Sequence, residues 1–158
     1  MTFLVRALPA AELDRIRDAG RDDFGHPLRI VVNDESPGAQ LRCCLRDADV
    51  GEQIALIAWR PLTEAPDNVY AEVGPVFIHA AACAGYRDDG SYPAGFRHRR
   101  QVLRSYTADG DMLDTTITEG HDAERAVAAL LADPAAAVLH SRNVQAGCYS
   151  FSIGRSTE

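Results

Sequence analysis

The chain has 158 residues, of which 46% are hydrophobic and 25% charged, and a formal net charge of −7. That length fits one domain, 1–158, with a sizeable core, and the ordinary composition excludes large-scale disorder. The acidic balance excludes a surface built to neutralise nucleic-acid phosphates or to lie on anionic lipid, so neither nucleic acid nor membrane is expected as a partner.

All sixteen basic residues are arginine. With no lysine there is no Schiff-base chemistry, no P-loop lysine and no lysine general base. The opening "MTFLVRALPAAELDR" does not read as a signal peptide, and no stretch approaches the roughly 18 apolar residues of a membrane span. A cytoplasmic protein is expected, with Cys43, Cys44, Cys83 and Cys148 as thiols.

In chain order, "TFLVRAL" predicts a strand and "AAELDRIRDA" a short helix that buries Leu13 and Ile16 and stops at Gly20. "PLRIVV" is a second strand. "AQLRCCL" and "EQIALIAW" flank the turn-rich "RDADVG" and are expected to pair antiparallel, the latter central because both of its faces are apolar. "NVYAEVGPVFIH" predicts a further strand, interrupted at Gly74 and Pro75 by a bulge or an edge position. Residues 80–100 are irregular, and long loops of that kind are often functional. "QVLRSYT" and "DMLDTTITEG" flank Asp-Gly and predict a hairpin with a two-residue turn. "DAERAVAALLA" predicts a helix with Asp122 as N-cap. "AAVLHSR" and "CYSFSIG" close the chain as strands. Hairpin connections dominate, so the expected class is α+β: one domain, mostly antiparallel sheet, with two or three helices.

"RCCLRDADVGE", "YAEVGPVFIHAAACAGY", "LRSYTADGDML" and "VLHSRNVQAGCYSFSIGR" together resemble, in this order and spacing, the domain of unknown function 1203 family. The resemblance covers nearly the whole chain. It implies a small bacterial single-domain protein and brings no residue roles with it.

Histidines and thiols therefore have to be weighed on their own chemistry. His79 and His140 each stand near a strand end, where fold-supported sites usually sit, although buried, hydrogen-bonded core histidines are the commoner case. On a strand, Cys44 would share the face of Arg42 and Arg46, which lowers a thiol pKa, and Cys43 would face the core. Arg104 points where Val102 and Tyr106 point, and a buried arginine needs an anionic partner. The expected function is a small enzyme or ligand-binding protein with one pocket for a small anionic molecule. In it His79 and His140 would be the acid or base, Arg104 the anion clamp, and Cys44 or Tyr106 an auxiliary donor or nucleophile.

Two alternatives stand beside this reading. One is a non-catalytic homodimer formed through a strand edge beside Pro75. The other is a metal- or haem-dependent protein. No standard zinc spacing is present, and a site would have to be assembled from His79, Cys83, His140 and Cys148. No cofactor follows from the sequence, though non-covalent haem on one histidine is compatible with it. Dinucleotide, P-loop, nucleophile-elbow, zinc-protease and EF-hand motifs are missing.

Overall fold

A strand that is apolar on both faces, such as Gln53–Trp59, is buried only if it has neighbours on both sides and a packed layer on each face. The computed structural model, which describes residues 2–157, meets that demand with two five-stranded sheets. The elements are β1 (Phe3–Arg6), α1 (Ala10–Ala19), β2 (Arg29–Val32), β3 (Gln40–Leu41), β4 (Arg46–Asp47), β5 (Gln53–Trp59), β6 (Gly74–His79), β7 (Gln101–Tyr106), β8 (Met112–Thr118), α2 (Ala123–Leu131), β9 (Val138–Asn143) and β10 (Tyr149–Arg155). The first sheet runs β1-β10-β9-β7-β8 and the second β2-β5-β6-β3-β4.

This architecture corrects the α+β expectation. Among the described residues the fold is mostly β, with two α-helices, of ten and nine residues, each packed on a sheet rather than forming a layer of its own. Helical segments elsewhere shrink to single 3₁₀ turns at Ala94–Phe96 and Gly120–Asp122. Helix α1 forms where its periodicity predicts, burying Leu13 and Ile16 and ending at Gly20 with φ 68°, a left-handed position that suits glycine. At α2, Asp122 precedes the helix without a side-chain capping bond.

Each sheet has its own core. Leu103, Leu139, Phe151 and Ile153 of the first sheet pack on Val127 and Leu131 of α2 and on Tyr92 and Phe96. Ile54, Ile57, Val76 and Ile78 of the second pack on Leu13 and Ile16 of α1. A bulge in β10, a strand of the first sheet, lets it contribute to both cores. Tyr149 pairs with Arg142 and Phe151 with Ser141, so Tyr149 joins the second core while Phe151 stays in the first.

Three local expectations change. β5 pairs with β2 and β6, not with the "AQLRCCL" segment, because β6 inserts between them and meets β3 in parallel at Leu41 and Phe77. β6 is therefore an interior strand, and Pro75, opposite Ala58 of β5, does not stand on an edge strand. The β7–β8 hairpin forms, but its connection spans residues 107–111, with Gly110 at φ 91°.

Candidate metal centre

"LRCCLR" does not continue as a strand: residues 42–45 form the turn between β3 and β4. Leu45 N–H closes it on Leu41 O at 3.0 Å, and Leu45 adopts φ 58°, an uncommon conformation for a residue with a branched apolar side chain. Strand alternation no longer applies. Cys43 and Cys44, expected on opposite faces, bring their Sγ atoms within 3.9 Å of each other.

Buried Arg42 anchors this turn against the other sheet, its Nε donating to Tyr149 O at 2.8 Å. Arg42 N–H donates to Phe77 O at 2.9 Å, which sets the turn beside the end of β6. There His79 N–H donates to Cys43 Sγ at 3.3 Å, and Arg17 of α1 holds the His79 carbonyl at 3.0 Å. Beyond β6 the irregular segment returns Cys83 to the same place, with Gly85 N–H donating to its Sγ at 3.4 Å.

The ligand-capable atoms of Cys43, Cys44, His79 and Cys83 all lie within 4.8 Å of one another. His79 Nδ1 is 3.4 Å from Cys43 Sγ and 3.8 Å from Cys44 Sγ. A tetrahedral zinc ion with its usual bond lengths needs S···S of roughly 3.8 Å and S···N of roughly 3.5 Å. The cluster already has close to those separations. Its fourth group is also oriented, because His79 Nε2 lies 2.8 Å from Glu52 Oε2. Arg46 grips the same carboxylate through two bonds of 2.7 and 2.9 Å, and Asp49 N–H adds a third at 2.7 Å. These bonds, Arg46 first, hold Glu52 far below the usual carboxylate range and therefore ionised. In the tautomer that donates from Nε2 to ionised Glu52, Nδ1 presents a lone pair towards the sulfurs, while Arg46 Nη2, itself only a donor, stands 3.1 Å from the same Nε2.

The thiols differ in character. A hydrogen bond with Cys44, helped by the His79 N–H and opposed by burial, lowers the Cys43 thiol to about 5. The same bond, together with burial, pushes Cys44 up, and burial pushes Cys83 up. Of the coupled pair, Cys43 is the thiol favoured to ionise, and Cys44 and Cys83 would lose their protons only on binding a cation. Cys44, Cys83 and His79 line an open cleft of about 710 Å³ that also exposes Arg46 and Glu52, so an ion has a path in.

The expected residues fall into two separate groups. His79 and Cys44 belong to this cluster, joined by Cys83 and by Cys43, which strand alternation had assigned to the core. His140, Arg104 and Tyr106 meet on the first sheet instead: Arg104 and His140 are cross-strand partners, and the Tyr106 and His140 ring centroids are 4.7 Å apart. Cys148 joins neither group; its Sγ is 3.9 Å from Ala146 O. Arg104 is not the buried arginine expected, since its side chain is 34% exposed and reaches Glu72 at 3.7 Å. Glu52 was missed, as was the pairing of Cys43 with Cys44. Nothing in a two-residue "CC" signals a turn, and a glutamate just after a turn glycine is an ordinary surface residue.

The fold and the site define a two-sheet β protein with a three-thiol, one-imidazole cluster at the mouth of a cleft. The chain belongs to the family described as Protein of unknown function (DUF1203), whose model matches residues 38–155 and so spans every residue of the cluster. No curated protein and no solved structure matches. Among the described residues no helix is long and apolar enough to cross a membrane.

Proposed function

We propose that this is a metal-binding protein of the reducing bacterial cytoplasm, holding one borderline-soft divalent ion, zinc first, through Cys43, Cys44, Cys83 and His79. The observation that carries the reading is a set of four ligand atoms within 4.8 Å whose imidazole is already turned by a carboxylate. Thiolate-rich sites favour zinc over the hard cations magnesium and calcium. Three thiolates and one imidazole fill a tetrahedral shell, so the ion is held rather than left with an open position for hydrolysis. The bound centre carries one net negative charge, and Arg46, in the wall of the same cleft, offsets it. Glu52 supplies the outer carboxylate that fixes the ring tautomer. Cobalt titration of reduced protein tests the reading: intense thiolate-to-cobalt bands saturating at about one ion per chain support it, and their absence ends it.

A second reading, a homodimer through a sheet edge, draws on a different observation. β2 is an outer strand whose Ile30 and Val32 are 53% and 56% exposed, an unusual combination for an unpaired edge. Light scattering that reports twice the chain mass, reverting with Val31→Lys, supports a dimer; a monomer at every concentration removes it.

A further inference from the structure

The second group of residues forms a different kind of place. Arg6, Ser152, His140 and Arg104 follow one another across β1, β10, β9 and β7 as cross-strand partners, so one polar row crosses a single face of the first sheet. Near its β1 end the row opens into a narrow pocket of about 160 Å³ between that sheet, the start of α1 and the segment after Trp59. The volume corresponds to about five waters, each occupying roughly 30 Å³, which limits an occupant to a small metabolite.

His140 lines this pocket while only 1% exposed, and its Nδ1 has no hydrogen-bond partner. Its ring packs against Tyr106 and, at 5.1 Å between centroids, against Tyr149. Burial, with Arg142 and Arg104 nearby, lowers the imidazole to about 3, so at neutral pH it is an uncharged ring whose Nδ1, donor or acceptor by tautomer, is unused. A buried polar nitrogen without a partner is costly and calls for an explanation.

The rim is equally distinctive. Arg142 and Arg104, which flank His140, are both paired with Glu72. Arg6, Glu12 and Glu64 line the pocket, and among the described residues none of the three makes an ion pair. Nearby, α1 begins at Pro9 without a side-chain cap. One exposed cation and two exposed carboxylates outside any ion pair thus line a pocket with an aromatic and imidazole floor, Glu12 lying also in the field of Arg15.

We propose that this pocket binds a small zwitterion of the α-amino-acid class, its carboxylate on Arg6 and the open start of α1, its ammonium on Glu12 and Glu64, and its body over His140 and Tyr149. Charge-assisted bonds at both ends discriminate against molecules that carry only one of the charges. The size of the pocket favours small side chains and excludes nucleotides, whose sites are several times larger. This site is independent of the metal centre.

The chain's single tryptophan, Trp59, lines the pocket and reports on it directly. Full-length protein is titrated with L-serine, L-proline and L-valine, and with acetate and ethylamine as half-ligands, following Trp59 emission and, in parallel, amide chemical shifts. The expected result is saturable binding of at least one amino acid, with acetate and ethylamine weaker by about tenfold or more, as loss of a charge-assisted bond predicts. Arg6→Ala and Glu64→Gln, at exposed positions that leave the core intact, each weaken binding by about tenfold or more. His140→Phe, which keeps a ring in place, weakens it as well. No saturable response by either readout, or acetate binding as tightly as the amino acids with Glu64→Gln silent, overturns the proposal.

Discussion

His79 and His140 occupy similar sequence contexts, each in a strand of alternating apolar residues, yet their rings have opposite chemistry. At His79 both nitrogens are engaged, Nε2 by Glu52 at 2.8 Å and Nδ1 by sulfurs from 3.4 Å. His140 is buried in the first sheet, flanked by arginines, with Nδ1 unpartnered. The difference comes from the neighbours the fold supplies, Cys43 and Glu52 in one case and Arg104 and Tyr149, with Arg142 two residues on, in the other. A histidine's role is set by what its two nitrogens meet, and strand position alone carries little of that information.

The sharpest way to break the contrast is to remove the ring in each place. His79→Phe deletes one ligand and the residue around which Glu52 and the sulfurs are arranged, so cobalt binding measured by charge-transfer absorbance should fall by about two orders of magnitude or more. Cys83→Ser should do the same. His140→Phe removes no hydrogen bond at Nδ1, and should leave cobalt binding unchanged.

The next largest effect is in acid. An unfolded histidine ionises near 6.5 and buried His140 near 3, so between those values the unfolded chain binds the extra proton. Stability from this group is full above about pH 6.5 and is lost as the pH falls towards 3, by on the order of 3–5 kcal/mol. Urea midpoints between pH 7 and 4 should show that slope, and in His140→Phe the slope should be much reduced. An unchanged slope would show that another group carries the acid sensitivity.

A smaller change is expected at Glu52. Glu52→Gln keeps the shape but removes the charge that fixes the His79 tautomer, and metal affinity should drop about 10- to 100-fold with the stoichiometry unchanged. Competition against a chelator of known affinity measures it. The smallest effect belongs to Arg104. Its half-exposed pairing with Glu72 at 3.7 Å should contribute no more than about 1 kcal/mol, so Arg104→Ala should shift the urea midpoint only slightly.

How much of this was readable from the residues follows the same division. β10, whose apolar residues alternate, β5, apolar on both faces, and helix α1 with its terminal glycine form close to where local pattern puts them, because burial of apolar faces decides them. The class was misread as α+β because hairpin connections and two or three helical segments, read in chain order, do not show how much of the chain each kind of element covers. Their weight becomes clear only when hydrogen bonding sorts the strands into two full sheets. For the site, His79, Cys44 and Cys83 were legible as residue types. Their meeting depended on the 42–45 turn with left-handed Leu45 and on the parallel contact of β3 with β6, neither of which has a local signature. Cys43 was assigned to the core by strand alternation, and the turn is the reason that rule fails there.

Three thiols and an imidazole are proposed to hold one ion. Metal analysis of untagged protein purified without chelator, under reducing conditions, tests it most directly. The expected result is about one zinc per chain, retained through gel filtration and falling towards zero in His79→Phe and Cys83→Ser, while His140→Phe keeps its full content. Wild-type protein that is folded, fully reduced and metal-free, and that fails to take up zinc or cobalt when either is supplied, would contradict it.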